Sequence, residues 1–121
     1  MFVDIILIFI MIFIIFLSAS VFVHIFFLVP YVPSKNKVVD KMIQAANLKT
    51  NETVYDLGCG DGRLLIASEK HKRVKTVGFE IAPLIFLLAK LRTAISHSKA
   101  KIKFQSFFKA NFKKANVIFC Y

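Results

Sequence analysis

Residues 54–63 read VYDLGCGDGR, and the reading of this stretch decides the fold. Ahead of the glycines, TVYDL at 53–57 is short, β-branched and apolar, which predicts a buried strand. Glycines recur at 58, 60 and 62, and RLLIASEKH at 63–71 has helical character. Strand, glycine-rich turn and helix in direct succession give a weak glycine pattern a defined structural context.

The same alternation continues on both sides. Upstream, Val38, Val39, Met42, Ile43 and Ala46 recur at helical spacing, which predicts a helix over 35–47 with Ser34 as its N-cap. Downstream, KTVGFE at 75–80 reads as a strand and APLIFLLAKLRTAI at 82–95 as a helix with Pro83 in its first turn. The stretches 100–107 and 115–121 read as two further strands. Alternating β and α elements predict an α/β fold, a parallel sheet of about four strands with helices on both faces.

The N-terminus is different in kind. Ile5–Val29 contains no Lys, Arg, Asp or Glu, and its polar side chains are Ser18, Ser20 and His24. A bilayer core needs roughly 20 apolar residues in a helix, so Ile5–Leu28 is long enough to span, with 1–29 as an anchor and 30–121 as the attached domain. A cleaved signal peptide is the main rival, with SAS at 18–20 as a faint cleavage site, but MFVD at the start lacks a basic residue. A buried core helix is the third reading. His24 is expected near the membrane interface, and Pro30 and Pro33 stop the helix. Ile81–Ala89 is apolar but too short for a second span.

All seventeen Lys and Arg lie from Lys35 onward, against six acids, a balance of +11 for residues 30–121. The positive-inside rule then places the N-terminus out and the domain in the cytoplasm, or facing the matrix if the protein is mitochondrial. The basic excess suits an anionic lipid surface. Nucleic acid is the rival partner, but no nucleic-acid motif accompanies the charge. Cys59 and Cys120 stand apart from any CxxC pattern, so neither a disulfide framework nor a metal site is indicated.

The chemistry concentrates at the glycine turn. Gly58, Gly60 and Gly62 leave no Cβ between the backbone and a ligand lying on the C-terminal edge of the sheet. Glu80 closes the next strand, 20 residues after Gly60, where a carboxylate can accept both hydroxyl hydrogens of a ribose. A dinucleotide fingerprint requires a glycine where Arg63 stands, and a P-loop requires Gly-Lys-Ser/Thr, which is absent. Asp56 and Asp61 would repel a pyrophosphate and favour a nucleoside carrying positive charge.

VYDLGCGDGR followed by VGFE resembles the first motif and acidic strand end of class I S-adenosylmethionine-dependent methyltransferases. With VPYVPSKNKVVDKMIQAANL before it and ANVIFCY after it, behind an apolar helix, the chain is similar to the membrane-anchored methyltransferases related to the ATP synthase c-subunit lysine methyltransferase. The similarity covers nearly all of 30–121. It implies a Rossmann-like domain, S-adenosylmethionine as cofactor, and a lysine of a membrane protein as acceptor. It assigns Asp56 to the methionine part, the backbone of Gly58, Cys59 and Gly60 to closest approach, Asp61 and Gly62 to the same turn, Glu80 to the ribose and Ile81 to the adenine. Tyr31 and Ser34 either close over the cofactor or serve as the lead-in to the first helix of the domain.

Two departures from the family pattern stand out. Ser106, or Gln105, occupies the place after the third strand where the family often has an Asp for the adenine amino group. Four strands are countable where the family has seven, which predicts a truncated reading of a longer protein. No catalytic residue is nameable, and Cys59 is not expected to act as a nucleophile. Two non-enzymatic readings stay open: a tethered nucleoside- or cofactor-binding module without turnover, and a basic membrane-surface or nucleic-acid adaptor.

Overall fold

A computed structural model describes residues 1–26 and 31–121, with side chains described for 1–23 and 31–121. Helix α1 (Phe2–Phe26) is followed by α2 (Asn36–Ala46), β1 (Thr53–Leu57), α3 (Arg63–His71), β2 (Lys75–Glu80), α4 (Pro83–Ile95) and β3 (Lys101–Phe104). Two single-turn 3-10 helices, Phe107–Lys109 and Phe112–Lys114, lead into β4 (Val117–Cys120). The expected end of the first helix at Leu28, the stop at Pro30 and the side chain of His24 lie outside the described residues.

The predicted helices and strands all form, with local corrections. Ser34 does not cap α2: Lys35 holds the N-cap position without a side-chain bond, and the Ser34 carbonyl instead accepts Nη1 of Arg63 at 2.6 Å. The helix ends where Asn47 turns left-handed (φ 47°) and donates its amide to the Gln44 carbonyl at 3.2 Å. The third strand is shorter than the predicted 100–107. After Phe104 the chain leaves the ladder and winds into the turn at Phe107–Lys109. The next turn is held by Asn111, whose side chain accepts the Lys113 amide at 3.0 Å.

The four strands form one parallel sheet in the order β3-β2-β1-β4. β1 lies opposite β2 with Asp56 against Gly78 and Leu57 against Phe79, and opposite β4 with Val54 against Val117. The order reverses between β1 and β4, so the turn after β1 lies at the switch point, where open α/β sheets bind ligands.

The helices do not cover both faces as expected. Val39 and Ile43 of α2 and Leu64 of α3 pack with Val54 and Phe119. Leu65 of α3 and Ala89 of α4 pack with Cys59 and Ile102. Val54, Asp56, Gly78, Ile102 and Phe119 alternate onto one face of the sheet, so α2, α3 and α4 share that face. The cause is topological. Strands β1, β2 and β3 are added in one direction, and right-handed crossovers then put α3 and α4 on the same side. The chain reverses between β3 and β4, through the 3-10 turns and not through a helix. They supply Phe112, whose ring lies 6.3 Å from that of Tyr55 on the other face. Tyr55 in turn lies 5.5 Å from Phe79, and Lys103 Nζ sits 5.7 Å over the Phe79 ring.

Phe2–Val23 of α1 is long and apolar enough to cross a membrane by length and composition, about 33 Å at helical rise. Its apolar stretch is only 6% buried among the described residues, which does not fit a buried core helix within this chain. Residues 1–15 are exposed on every side, whereas Phe16, Ser20 and Val23, four and three residues apart, are shielded. α1 packs against α4.

Candidate active site at the glycine turn

The turn is built by hanging two consecutive amides on one carbonyl. The Gly58 and Cys59 N–H groups both donate to the Phe79 carbonyl at 2.9 Å, which fastens the end of β1 to the end of β2. The backbone then folds back on itself, Gly62 N–H donating to the Cys59 carbonyl at 2.9 Å. Gly58, Gly60 and Gly62 all have positive φ, at 78°, 56° and 78°.

Their roles divide once their surroundings are known. Nothing lies within 4 Å of where a Gly58 Cβ would be, so that glycine opens onto free space. A Cβ on Gly60 would stand 3.1 Å from the Tyr31 ring. A Cβ on Gly62 would meet Thr93, Ala89 and Ile102 at 3.6–3.8 Å, ordinary contact distances, so the positive φ and not crowding calls for glycine there. Cys59 offers its backbone to the turn while its side chain is buried beneath it. Burial, then the charges of Asp56 and Glu80, push the thiol pKa far up.

The two loop acids also part company. Asp61 is buried, accepts the Arg63 guanidinium at 2.7 Å and pairs with Arg92 at 3.0 Å. Burial raises its pKa, but the Arg63 hydrogen bonds and the charges of Arg63 and Arg92 outweigh this and hold the carboxyl below its ordinary value. Its charge is therefore taken up inside the protein. Among the described residues, Asp56 is buried without an ion pair, as is the half-buried Glu80 beside it. Burial, with the neighbouring Glu80 charge, pushes Asp56 up to about 7. Two acids without a cation at the mouth of an open glycine turn fit a positively charged ligand and oppose a phosphate.

Glu80 is already at work in the protein. Oε2 accepts the Gly60 amide at 3.1 Å, and Oε1 accepts the Ile81 and Ala82 amides at 2.9 Å each. A carboxylate has about four acceptor positions, so three backbone bonds leave room for a ligand hydroxyl. Ile81 follows directly and is half-buried. Ser106 stands beyond the end of β3, next to the place where Gln105 N–H reaches the Glu80 carbonyl at 3.2 Å.

Tyr31, whose role the sequence leaves open, is brought onto the turn. Burial and the adjacent Asp61 carboxylate raise its hydroxyl pKa. Arg63 ties this segment down by bonding both Asp61 and the Ser34 carbonyl. Gly78 and Arg92 carry no signal in the sequence that would mark them as site residues. Arg92 lies 31 positions beyond Asp61, and no local pattern announces such a pair.

A family profile described as ANTKMT methyltransferase domain matches residues 56–121. The chain is 37% identical over 98 residues to a protein-lysine N-methyltransferase of Saccharolobus islandicus, covering 74% of this chain and 58% of that protein. It is 29% identical over 92 residues to the ATP synthase c-subunit lysine N-methyltransferase of Homo sapiens, covering 74% of this chain and 39% of that one. The chain thus spans between about a third and three fifths of the curated relatives it matches. Among solved structures it is similar to an RNA methyltransferase from Salinibacter ruber in complex with S-adenosyl-L-homocysteine. The TM-score is 0.69 and the identity 29%, over 72% of this chain and 58% of that one. A SAM-dependent methyltransferase from Thiobacillus denitrificans shares the fold at a TM-score of 0.65 and 20% identity, over 74% of this chain and 37% of that one.

Proposed function

The chain belongs to the ANTKMT methyltransferase domain family, and from that premise we propose that it binds S-adenosylmethionine and takes part in methyl transfer to a lysine amine of a membrane-associated protein. The observation that carries the cofactor is the unpaired Asp56–Glu80 acid pair beside the open backbone of Gly58. It fits a nucleoside with an ammonium and a sulfonium and no phosphate. Asp56 would attract the methionine ammonium, directly or through water. Glu80 would accept a ribose hydroxyl while keeping the turn in place, Ile81 would pack on the adenine, and Ser106 would stand near its edge. When bound, the cofactor supplies an electrophilic methyl group on sulfur. The chain supplies position and electrostatics, with no covalent enzyme intermediate.

The lysine acceptor is supported by the names of the Saccharolobus and human relatives. A membrane setting is supported by the exposed apolar helix α1, for which a signal sequence is the alternative. The basic balance of the attached domain favours the side of the membrane that retains positive charge, cytoplasm or matrix.

Isothermal titration with S-adenosylmethionine and S-adenosylhomocysteine tests the first claim. Binding of both that is lost in Asp56→Ala is expected, and a folded sample that binds neither would exclude it. Labelled methyl transfer into a membrane fraction tests the second. Label in a protein lysine supports it, while label in RNA, or none, removes the lysine reading.

A further inference from the structure

Helix α4 is apolar on two opposite faces. Ile85, Ala89 and Thr93 are buried against the sheet. On the far side Leu84, Leu87, Leu88, Leu91 and Ile95 recur at three- and four-residue intervals and are 38–70% exposed, even with α1 packed on the helix. A helix on an aqueous surface carries polar residues there. The stripe runs for about 16 Å. It is continued by Phe104, 57% exposed, whose ring lies 5.3 Å from that of Phe86 on α4.

Charge says what covers it. From Ile81 to Tyr121 the chain has eight Lys and Arg and no acid. Lys90 is exposed on α4 itself and Lys99 just beyond its end, while Lys101 and Lys103 of β3 alternate onto the other face of the sheet. An apolar stripe bordered by cations suits the boundary between acyl chains and anionic headgroups. The same helix is the one against which α1 packs.

We propose that the outer face of α4 lies in the interfacial layer of an anionic membrane, the one that α1 enters. This rests on the reading of α1 as a membrane helix. The consequence concerns the site. α4 begins three residues after Glu80, and its Arg92 holds Asp61 of the glycine turn at 3.0 Å. Seating α4 in the surface therefore fixes the glycine turn at membrane level, within reach of a lysine presented there.

The chain contains no Trp, so single Trp reporters are clean. Leu91→Trp and Leu87→Trp probe the stripe, Lys72→Trp the exposed end of α3, and Phe13→Trp the helix α1. Each is placed in the full chain and mixed with phosphatidylcholine–phosphatidylglycerol vesicles containing lipids brominated near the headgroup or deep in the chain. Shallow bromination should quench the two stripe reporters by roughly twofold or more and leave Lys72→Trp unchanged. Stripe reporters that stay unquenched while Phe13→Trp is quenched by deep bromination would overturn the proposal and leave the anchor reading standing. A blue-shifted stripe reporter indifferent to bromination means that a protein surface covers it, which also overturns the proposal. Unquenched Phe13→Trp refutes the anchor reading. Because the proposal places α4 at the membrane that α1 enters, it falls with that reading even if the stripe is quenched, and no quenching anywhere removes both.

Discussion

The side chain of Cys59 occupies the space that Gly78 leaves empty. A Cβ on Gly78 would stand 2.6 Å from Cys59 Sγ and 2.7 Å from Leu65 Cδ1. Because β2 is bare at this point, the first residues of the glycine turn can sink onto it and hang on the Phe79 carbonyl. The position of the glycine turn thus depends on a missing methyl group one strand away.

Gly78→Ala should therefore destabilise the fold by about 1–3 kcal/mol, as overpacking does in a close-packed interior. Thermal denaturation measures it. Gly58→Ala is the contrast, since its cost is the positive φ alone, about 1–2 kcal/mol, with no clash in the protein. It should weaken cofactor binding more than its loss of stability accounts for. Equal binding by both variants would break the link between Gly58 and the ligand.

Asp56 sets a pH dependence. Its folded pKa of about 7 lies above the ordinary 3.8, so the folded state holds the proton more tightly. Its ionisation withdraws stability as pH rises through this window, and a cationic ligand restores it. Affinity for S-adenosylmethionine should climb with pH towards about 7, by at most about tenfold per unit, and then level off. Calorimetry across that range should show the climb in the parent and a flat profile in Asp56→Asn.

Removing Glu80 should damage the turn as well as the ligand contact. Glu80→Ala deletes three charge-assisted backbone bonds, and a loss of about 2–3 kcal/mol in stability is expected. Glu80→Gln keeps one acceptor oxygen and should retain more stability than Ala while losing cofactor affinity. Denaturant melts alongside titration separate the two effects.

The two thiols should differ sharply. Cys59 is buried with its pKa driven up, and Cys120 is exposed. A chromogenic disulfide at mildly alkaline pH should titrate one thiol per native chain and two in denaturant. Cys120→Ala should leave the native protein unreactive. Fast reaction at Cys59 would mean that the turn opens readily.

Tyr31→Phe should be mild, because the ring stays over Gly60 and only the hydroxyl beside Asp61 is lost. Tyr31→Ala uncovers the turn, and faster amide exchange at Gly60 and Asp61 is expected. Unchanged exchange would reduce Tyr31 to a lead-in for α2.

Much of this protein is written locally. Alternating apolar and helical periods along the chain specify four strands, the helices between them and the long apolar N-terminal segment, because each depends on near neighbours in sequence. The glycine turn and the acid at the end of the second strand carry their own chemistry, and so the candidate site and the family were legible from Val54–Arg63 and Glu80. The tertiary structure decided what depends on distance in space. It put α2, α3 and α4 on one face, since the chain reverses direction only once, after β3. It divided two acids that read alike, giving Asp61 to Arg63 and Arg92 and leaving Asp56 unpaired, because the Arg92 partner arrives from another helix. It also showed that Gly78 is needed for a neighbour's side chain, and that α4, periodic and apolar like any core helix, carries a second apolar face on the outside.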